Sequence, residues 1–182
     1  MFSELNILKI FLEDPYREFN VREIARLLNI SPATASKHLK YFSEKRILKY
    51  QKERIYDLYR ADIESEKYRD LKVYYNITKI RDSGLLDEFD RYYLKPTVIL
   101  FGSGSTGYDT KDSDFDFVII SVKKGIFQKQ DIFEKKLGRS LQIFQVLDLK
   151  ELKNEHLINN VLRGIVLQGE IHWMSTSVRE EG

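Results

Sequence analysis

Two aspartates stand one residue apart at the head of an apolar run, Ser113-Asp114-Phe115-Asp116-Phe117-Val118-Ile119-Ile120. Alternate residues of a strand share a face, roughly 6.6–6.8 Å apart. Both carboxylates can therefore converge on one or two Mg²⁺ ions, which take oxygen ligands. Two ions about 3.5–4 Å apart would hold the attacking and leaving oxygens of an in-line phosphoryl displacement. Upstream lies Thr97-Val-Ile-Leu-Phe-Gly-Ser-Gly-Ser-Thr-Gly107. Val98 to Phe101 form a short apolar run after Pro96, which predicts a fully buried strand. Gly102-Ser103 then makes a tight turn at the start of a helix, where backbone N–H groups can bind phosphate oxygens. An acidic surface loop closing a hairpin is the plainer alternative. It does not account for the turn, the acid pair and both strands occurring together.

An apolar strand, Gly-Ser, a further Gly, then Ser-Asp-x-Asp leading a second apolar strand resembles the minimal nucleotidyltransferase family, which is related to kanamycin nucleotidyltransferase and DNA polymerase beta. The resemblance covers roughly residues 86–172. It implies transfer of a nucleoside monophosphate from an NTP to an acceptor, with magnesium as cofactor and pyrophosphate released. It places Gly102 and Ser103 at the triphosphate, and makes Asp114 and Asp116 the metal ligands and catalytic residues. The sequence departs from the family pattern twice. Thr106 stands where the family usually has an arginine, just before Gly107. In Leu137-Gly-Arg-Ser-Leu-Gln-Ile-Phe-Gln-Val146, the position of the third metal carboxylate is held by Gln142, a neutral amide. Asp148 lies six residues further on, about 20 Å along an extended strand, too far to replace it. Losing that carboxylate removes a negative charge beside the cations and the group that would accept the nucleophile's proton. Two functions stay open: transfer to an unknown acceptor, or a regulator whose nucleotidyltransferase-like half only binds nucleotide or dimerises.

The N-terminal sixty residues have a different character. Leu5, Ile7, Leu8, Ile10, Phe11 and Leu12 are close to helical in spacing and stop at Asp14-Pro15. Val21, Ile24, Ala25 and Leu28 repeat at three-to-four spacing behind an Asn20/Glu23 capping pair. Ser31-Pro32 supplies an N-cap and a first-turn proline for a third helix, about Pro32 to Lys45. That helix buries Ala35, Leu39 and Phe42 and turns Thr34, Ser36, Lys37 and Lys40 outward. Two runs of period two then flank Lys52-Glu53, as in a hairpin. Three helices and a basic hairpin resemble a winged helix-turn-helix of the small prokaryotic regulators, over about residues 4–60. Short polar and basic side chains on the third helix suit base edges and phosphates in a major groove. Lys52 and Arg54 at the hairpin tip would reach backbone phosphates. The plain alternative is a helical adaptor whose basic residues only stay hydrated.

The elements between and around these sites complete the expectation. Residues 62–95 are helical in composition, with Tyr68, Leu71, Tyr74, Tyr75 and Ile77 on one stripe, Gly84 as a C-cap, and Leu85, Leu86 and Phe89 on a second helix. Such a stripe packs between domains or against a second copy, and the resemblance to winged-helix regulators implies a homodimer. Leu157, Ile158, Val161 and Leu162 predict a late helix, residues 164–169 a last strand, and residues 175–182 a frayed tail. His38, His156 and His172 show no ligand spacing, and the serines lack a histidine–acid pattern. Residues 1–60 carry 12 Lys/Arg against 8 Asp/Glu, and the remainder 18 against 20, so a polyanion partner belongs at the N-terminus. A 42% hydrophobic, 32% charged chain is globular. Without cysteine it has no disulfide, thiolate metal site or cysteine nucleophile. No apolar run approaches the roughly 20 residues that cross a bilayer, and the first residues lack a signal-peptide pattern, so a cytoplasmic protein is expected. The prediction is an α+β chain: a winged helix-turn-helix binding double-stranded DNA at 1–61, a helical bridge at 62–95, and a mixed sheet flanked by helices at 96–174 that takes an NTP.

Overall fold

The structure, a computed structural model, describes residues 2–171, with side chains from Asn6 onward; His172, the residues to 174 and the tail at 175–182 lie outside the described residues. Helix α1 (Phe2–Glu13) buries Ile7, Leu8, Phe11 and Leu12 and ends just before Pro15, whose ring cannot continue a helix. A two-residue strand β1 (Phe19–Asn20) runs straight into α2 (Val21–Leu28). Asn20 Oδ1 accepts from the Glu23 N–H at 2.9 Å, the N-cap bond expected of it. The Glu23 carboxylate turns to Arg17 at 2.5 Å instead of back to the cap, so only half of the expected capping pair forms. Ser31 caps α3 (Pro32–Glu44) by accepting from the Thr34 N–H at 3.0 Å. Strands β2 (Leu48–Glu53) and β3 (Tyr56–Ala61) form the hairpin, and β1 pairs with β3 in a sheet of order β1-β3-β2. The chain reverses at Arg54-Ile55, past the Lys52-Glu53 centre that alternation suggests, with Arg54 in the left-handed region at φ 53°.

Helix α4 (Glu66–Ser83) is followed by Gly84 at φ 79°, the left-handed C-cap the sequence predicts, and by α5 (Leu85–Tyr93). Strand β4 (Thr97–Phe101), a single helical turn α6 (Ser103–Thr106), strand β5 (Phe115–Ile120), α7 (Gln130–Leu137), β6 (Leu141–Val146), α8 (Glu155–Leu162) and β7 (Ile165–Gln168) complete the described chain. Their sheet has the order β6-β5-β4-β7, with β4 antiparallel to β5 and β7, and β5 parallel to β6. The parallel pair needs a crossover, which α7 supplies. Val98 and Leu100 face a core that includes Phe89 and Phe117, while Ile99 and Phe101 face a second with Val118 and Val161. Strand β4 is thus buried on both faces, as its unbroken apolar run predicts.

The bridge corrects one expectation. The residues that α4 buries most deeply include Tyr68, Lys72, Asn76 and Ile80, at four-residue spacing; Leu71, Tyr75 and Ile77 of the expected stripe pack beside them, while Tyr74 is 66% exposed. A hydropathy reading passes over Lys72 and Asn76 because burying them is favourable only with partners. Those partners come from both halves of the chain. Tyr68 Oη donates to the Phe11 carbonyl at 3.0 Å, and Lys72 Nζ bonds the Leu12 carbonyl at the end of α1. Asp109 Oδ2 takes Lys72 Nζ at 3.1 Å and an Arg139 guanidinium nitrogen at 2.5 Å. Asn76 Nδ2 donates to Asp109 Oδ1 at 2.8 Å and to the Gly104 carbonyl at 2.9 Å. Burial holds the Lys72 ammonium below the usual lysine range, against the opposing pull of Asp109. Nearby, Glu13 joins Tyr75 and Lys79, a second tie between α1 and α4.

Candidate functional site

Strand β4 delivers the chain to Gly102 directly above the acid pair, because Phe101 is in register with Asp116 across the antiparallel ladder. Gly102 has φ 71° and ψ −154°, and a Cβ there would lie 2.4 Å from Asp116 Oδ2. Only glycine lets the backbone pass this close to the carboxylate. Helix α6 is one turn long, so its dipole is small, and the turn's own N–H groups must carry any phosphate contact. Ser105 Oγ donates to the Gly102 carbonyl at 2.9 Å, and Thr106 Oγ1 reaches the Gly102 and Ser103 carbonyls at 3.3 and 3.2 Å. Those two hydroxyls brace the turn. The Ser103 hydroxyl makes no hydrogen bond among the described residues.

Asp114 immediately precedes β5 and Asp116 lies within it, beside Gly102; Ser103 follows Gly102 as the first residue of α6. Asp116 is half-buried; burial and then the Asp114 charge push its carboxyl above the usual aspartate range. A bound cation would relieve both effects. The parallel ladder sets Gln142 opposite Asp116, and Gln142 Nε2 donates to Asp114 Oδ2 at 2.9 Å. The amide therefore presents N–H to the acid pair. Asp148 lies beyond the end of β6 and caps the next turn by accepting from the Lys150 N–H at 2.9 Å. Among the described residues no group of three or more His, Cys, Asp or Glu side chains is placed to hold a metal ion.

On the N-terminal half, Lys37 and Lys40 are exposed on α3, and Lys40 shares a groove with Lys52, Tyr50 and Asp57 of the hairpin. Ser36 is half-buried. Thr34 is half-buried too, its hydroxyl 2.8 Å from Ser31 Oγ, so it serves the helix cap. Arg54 is exposed at the hairpin turn, next to Ile55, which is 85% exposed and which the sequence reading passes over. His38 stacks on Phe42, His156 is exposed, and no helix among the described residues is long and apolar enough to cross a membrane.

Residues 82–177, more than half of the chain, match the nucleotidyltransferase domain family. The chain belongs to that family. Residues 4–50 match the bacterial regulatory protein, arsR family, so a helix-turn-helix DNA-binding domain precedes the nucleotidyltransferase domain. A comparison with curated proteins returns no match. Among solved structures, a possible transcriptional regulator from Methanosarcina mazei Go1 is 20% identical, over 50% of this chain and 78% of that one, with a TM-score of 0.35.

The nucleotidyltransferase domain also contains residues that sequence reasoning misses. Asp109 sits in Tyr-Asp-Thr-Lys-Asp-Ser113 with no spacing to separate it from Asp112, yet it is 1% exposed and Asp112 is on the surface. Arg139 lies three residues before Gln142 and two before β6, and its guanidinium lies over the Phe115 ring at 4.8 Å. Lysine and asparagine four residues apart, in phase with Tyr68 and Ile80 on α4, are the available signal, and only a buried acid elsewhere gives that signal meaning.

Proposed function

We propose that the protein is a DNA-binding regulator whose nucleotidyltransferase domain takes up a magnesium–nucleoside triphosphate and holds it without efficient turnover. The observation that carries this reading is the Gln142 Nε2 bond to Asp114 at 2.9 Å, made at the position where a third carboxylate would otherwise stand. The residues present fit one magnesium ion brought in by a triphosphate. Asp114 and Asp116 would hold it, a cation there would relieve the burial and the Asp114 repulsion that raise the Asp116 carboxyl, and glycine at 102 lets the turn pass directly against that carboxylate. The ion would offset the triphosphate's negative charge. Gly102 and Ser103 would orient the phosphates, and Asp114 and Asp116 would hold the ion that accompanies them. Neither Gln142 nor Asp114, already accepting from it, is suited to take a proton from an incoming hydroxyl.

The DNA face is Lys37, Lys40, Lys52 and Arg54, with Thr34 and Ser36 shaping the first turns of α3. The division at about residues 61 and 95, a cytoplasmic location and a homodimer belong to the same reading; sedimentation tests the last. Calorimetry with Mg²⁺-ATP and Mg²⁺-GTP should show uptake that Asp114→Asn and Asp116→Asn abolish. Replacing both Lys37 and Lys40 by Ala should weaken duplex binding and reduce the log–log salt slope by about two. Unchanged duplex affinity would remove the DNA face from the reading.

The intact Asp114/Asp116 pair favours a second reading: nucleotidyl transfer to an acceptor that brings its own base. Incubation with labelled NTPs and candidate acceptors tests it. Label that appears on an acceptor and is lost in Asp116→Asn supports transfer over holding.

A further inference from the structure

A buried chain of polar contacts runs from the helix-turn-helix half to the phosphate turn. It starts at the Leu12 carbonyl, which ends α1 and takes Lys72 Nζ. Lys72 shares Asp109 Oδ2 with Arg139, and Asp109 Oδ1 accepts from Asn76. The same Asn76 nitrogen holds the Gly104 carbonyl, in the turn that follows Gly102 and Ser103. Gly107, which closes that turn, lies so near α4 that a Cβ would sit 2.6 Å from the Arg69 carbonyl. The turn and α4 therefore shift together or not at all. At the other end α1 packs on α2 and α3, the helices of the DNA face.

The cluster is not fully satisfied. Lys72 and Arg139 share the Asp109 carboxylate with almost no solvent contact, the Glu13 charge adds only a weaker pull on Lys72, and Asn76 Oδ1 is buried without a hydrogen-bond partner among the described residues. A partly satisfied buried network is sensitive to charge and to small displacements, because low dielectric amplifies both. Negative charge arriving at the turn bears on these buried cations, and any adjustment of the Gly104 carbonyl is passed through Asn76 and Asp109 to Lys72.

We propose that the Asn76–Asp109–Lys72–Leu12 path links the two ligand sites, so that triphosphate binding at the turn and DNA binding at α3 change each other's affinity. The proposal rests on the nucleotide-holding reading above. Linkage of this kind is reciprocal, so the factor by which nucleotide alters DNA affinity equals the factor by which DNA alters nucleotide affinity.

The test uses the full chain, Mg²⁺-ATP and Mg²⁺-GTP as nucleotide probes, and a mixed-sequence duplex at low fixed salt. Duplex affinity is measured with and without saturating nucleotide, and nucleotide affinity with and without saturating duplex. The expected result is the same factor in both directions, about fivefold or more. In Lys72→Met each ligand should still bind alone while the factor falls toward one. Where that variant does not fold, amide exchange over residues 10–14 of the wild type decides the route, and slowing on addition of Mg²⁺-nucleotide is expected. Both ligands binding with affinities indifferent to each other overturns the linkage and leaves the nucleotide reading standing. Absence of nucleotide uptake in the wild type overturns that reading, and the linkage with it. A factor unchanged in folded Lys72→Met, or unchanged exchange at residues 10–14, overturns the assigned path.

Discussion

Asp109→Asn removes one negative charge and almost no volume, which makes it a clean probe of the buried cluster. The side chains of Lys72, Asp109 and Arg139 are 0%, 0% and 2% exposed, so solvent cannot replace the lost partner. Breaking a buried ion pair by deleting one member destabilises by about 3–5 kcal/mol, because the other charge is left uncompensated. Two cations are left uncompensated here, which places the expected loss at the upper end of that range. Against a typical domain stability of about 5–15 kcal/mol, that is a large fraction. For a chain of this size each kcal/mol moves the melting temperature by about 2–4 °C, so a fall of about 10–20 °C is expected. Lys72→Met removes one of the two cations instead and leaves Asp109 paired with Arg139; its main cost is the Leu12 carbonyl bond, about 1–3 kcal/mol. The double variant should therefore melt above Asp109→Asn alone. Thermal melts followed by circular dichroism give all three values. An Asp109→Asn protein that melts within about two degrees of the wild type, or singles that simply add in the double variant, would refute the charge argument.

Gln142→Asp sets a carboxylate beside Asp116 on the adjacent strand and supplies a proton acceptor; labelled-NTP assays should show transfer or hydrolysis raised by about 10²–10⁴-fold, and no rise would remove Gln142 from the account. Gly102→Ala forces a Cβ to within 2.4 Å of Asp116 Oδ2 at φ 71°, so it should lose at least about 1–2 kcal/mol of stability along with calorimetric nucleotide uptake. Binding that survives unchanged would show that the turn does not touch phosphate. Burial pushes the Glu13 carboxyl up, but Tyr75 and Lys79 outweigh it and hold the group below its ordinary 4.5. A lowered carboxyl stabilises fully above its unfolded value and loses that contribution as pH falls through the folded one. Glu13→Gln should therefore trail the wild type in urea melts at pH 7, with the gap closing below pH 4.5; a constant gap would contradict this.

Local chemistry was legible wherever one segment contains its own cause. Proline after Ser31, glycine at 84 and the unbroken run at 98–101 each dictate structure from their neighbours alone, and each element forms accordingly. The acid pair was legible for the same reason, since residues i and i+2 at the head of an extended run keep to one side, although the strand itself begins only at Phe115. Gln142 was legible only through family likeness; its bond to Asp114 depends on β5 and β6 lying parallel in one register. The buried face of α4 was legible only in part: Tyr68 is buried and Leu71, Tyr75 and Ile77 pack beside it, but Lys72 and Asn76 were passed over. Tyrosines define its most hydrophobic stripe, yet Lys72 and Asn76 occupy the core because Asp109, more than thirty residues away, neutralises one and bonds the other. The hairpin turn slipped past its predicted centre because Lys52-Glu53 has turn-like polarity, while Arg54 adopts the left-handed backbone that polarity does not reveal.

The placement of Lys72 has a practical side for anyone dissecting this chain. A cut near residue 61 would put the Leu12 carbonyl on one piece and the ammonium that satisfies it on the other, exposing an unmatched polar scar on each. The C-terminal fragment would also lose Phe11 as the acceptor for Tyr68. Excised pieces would therefore report on damaged surfaces, and the intact polypeptide is the smallest unit in which either half keeps its native wiring.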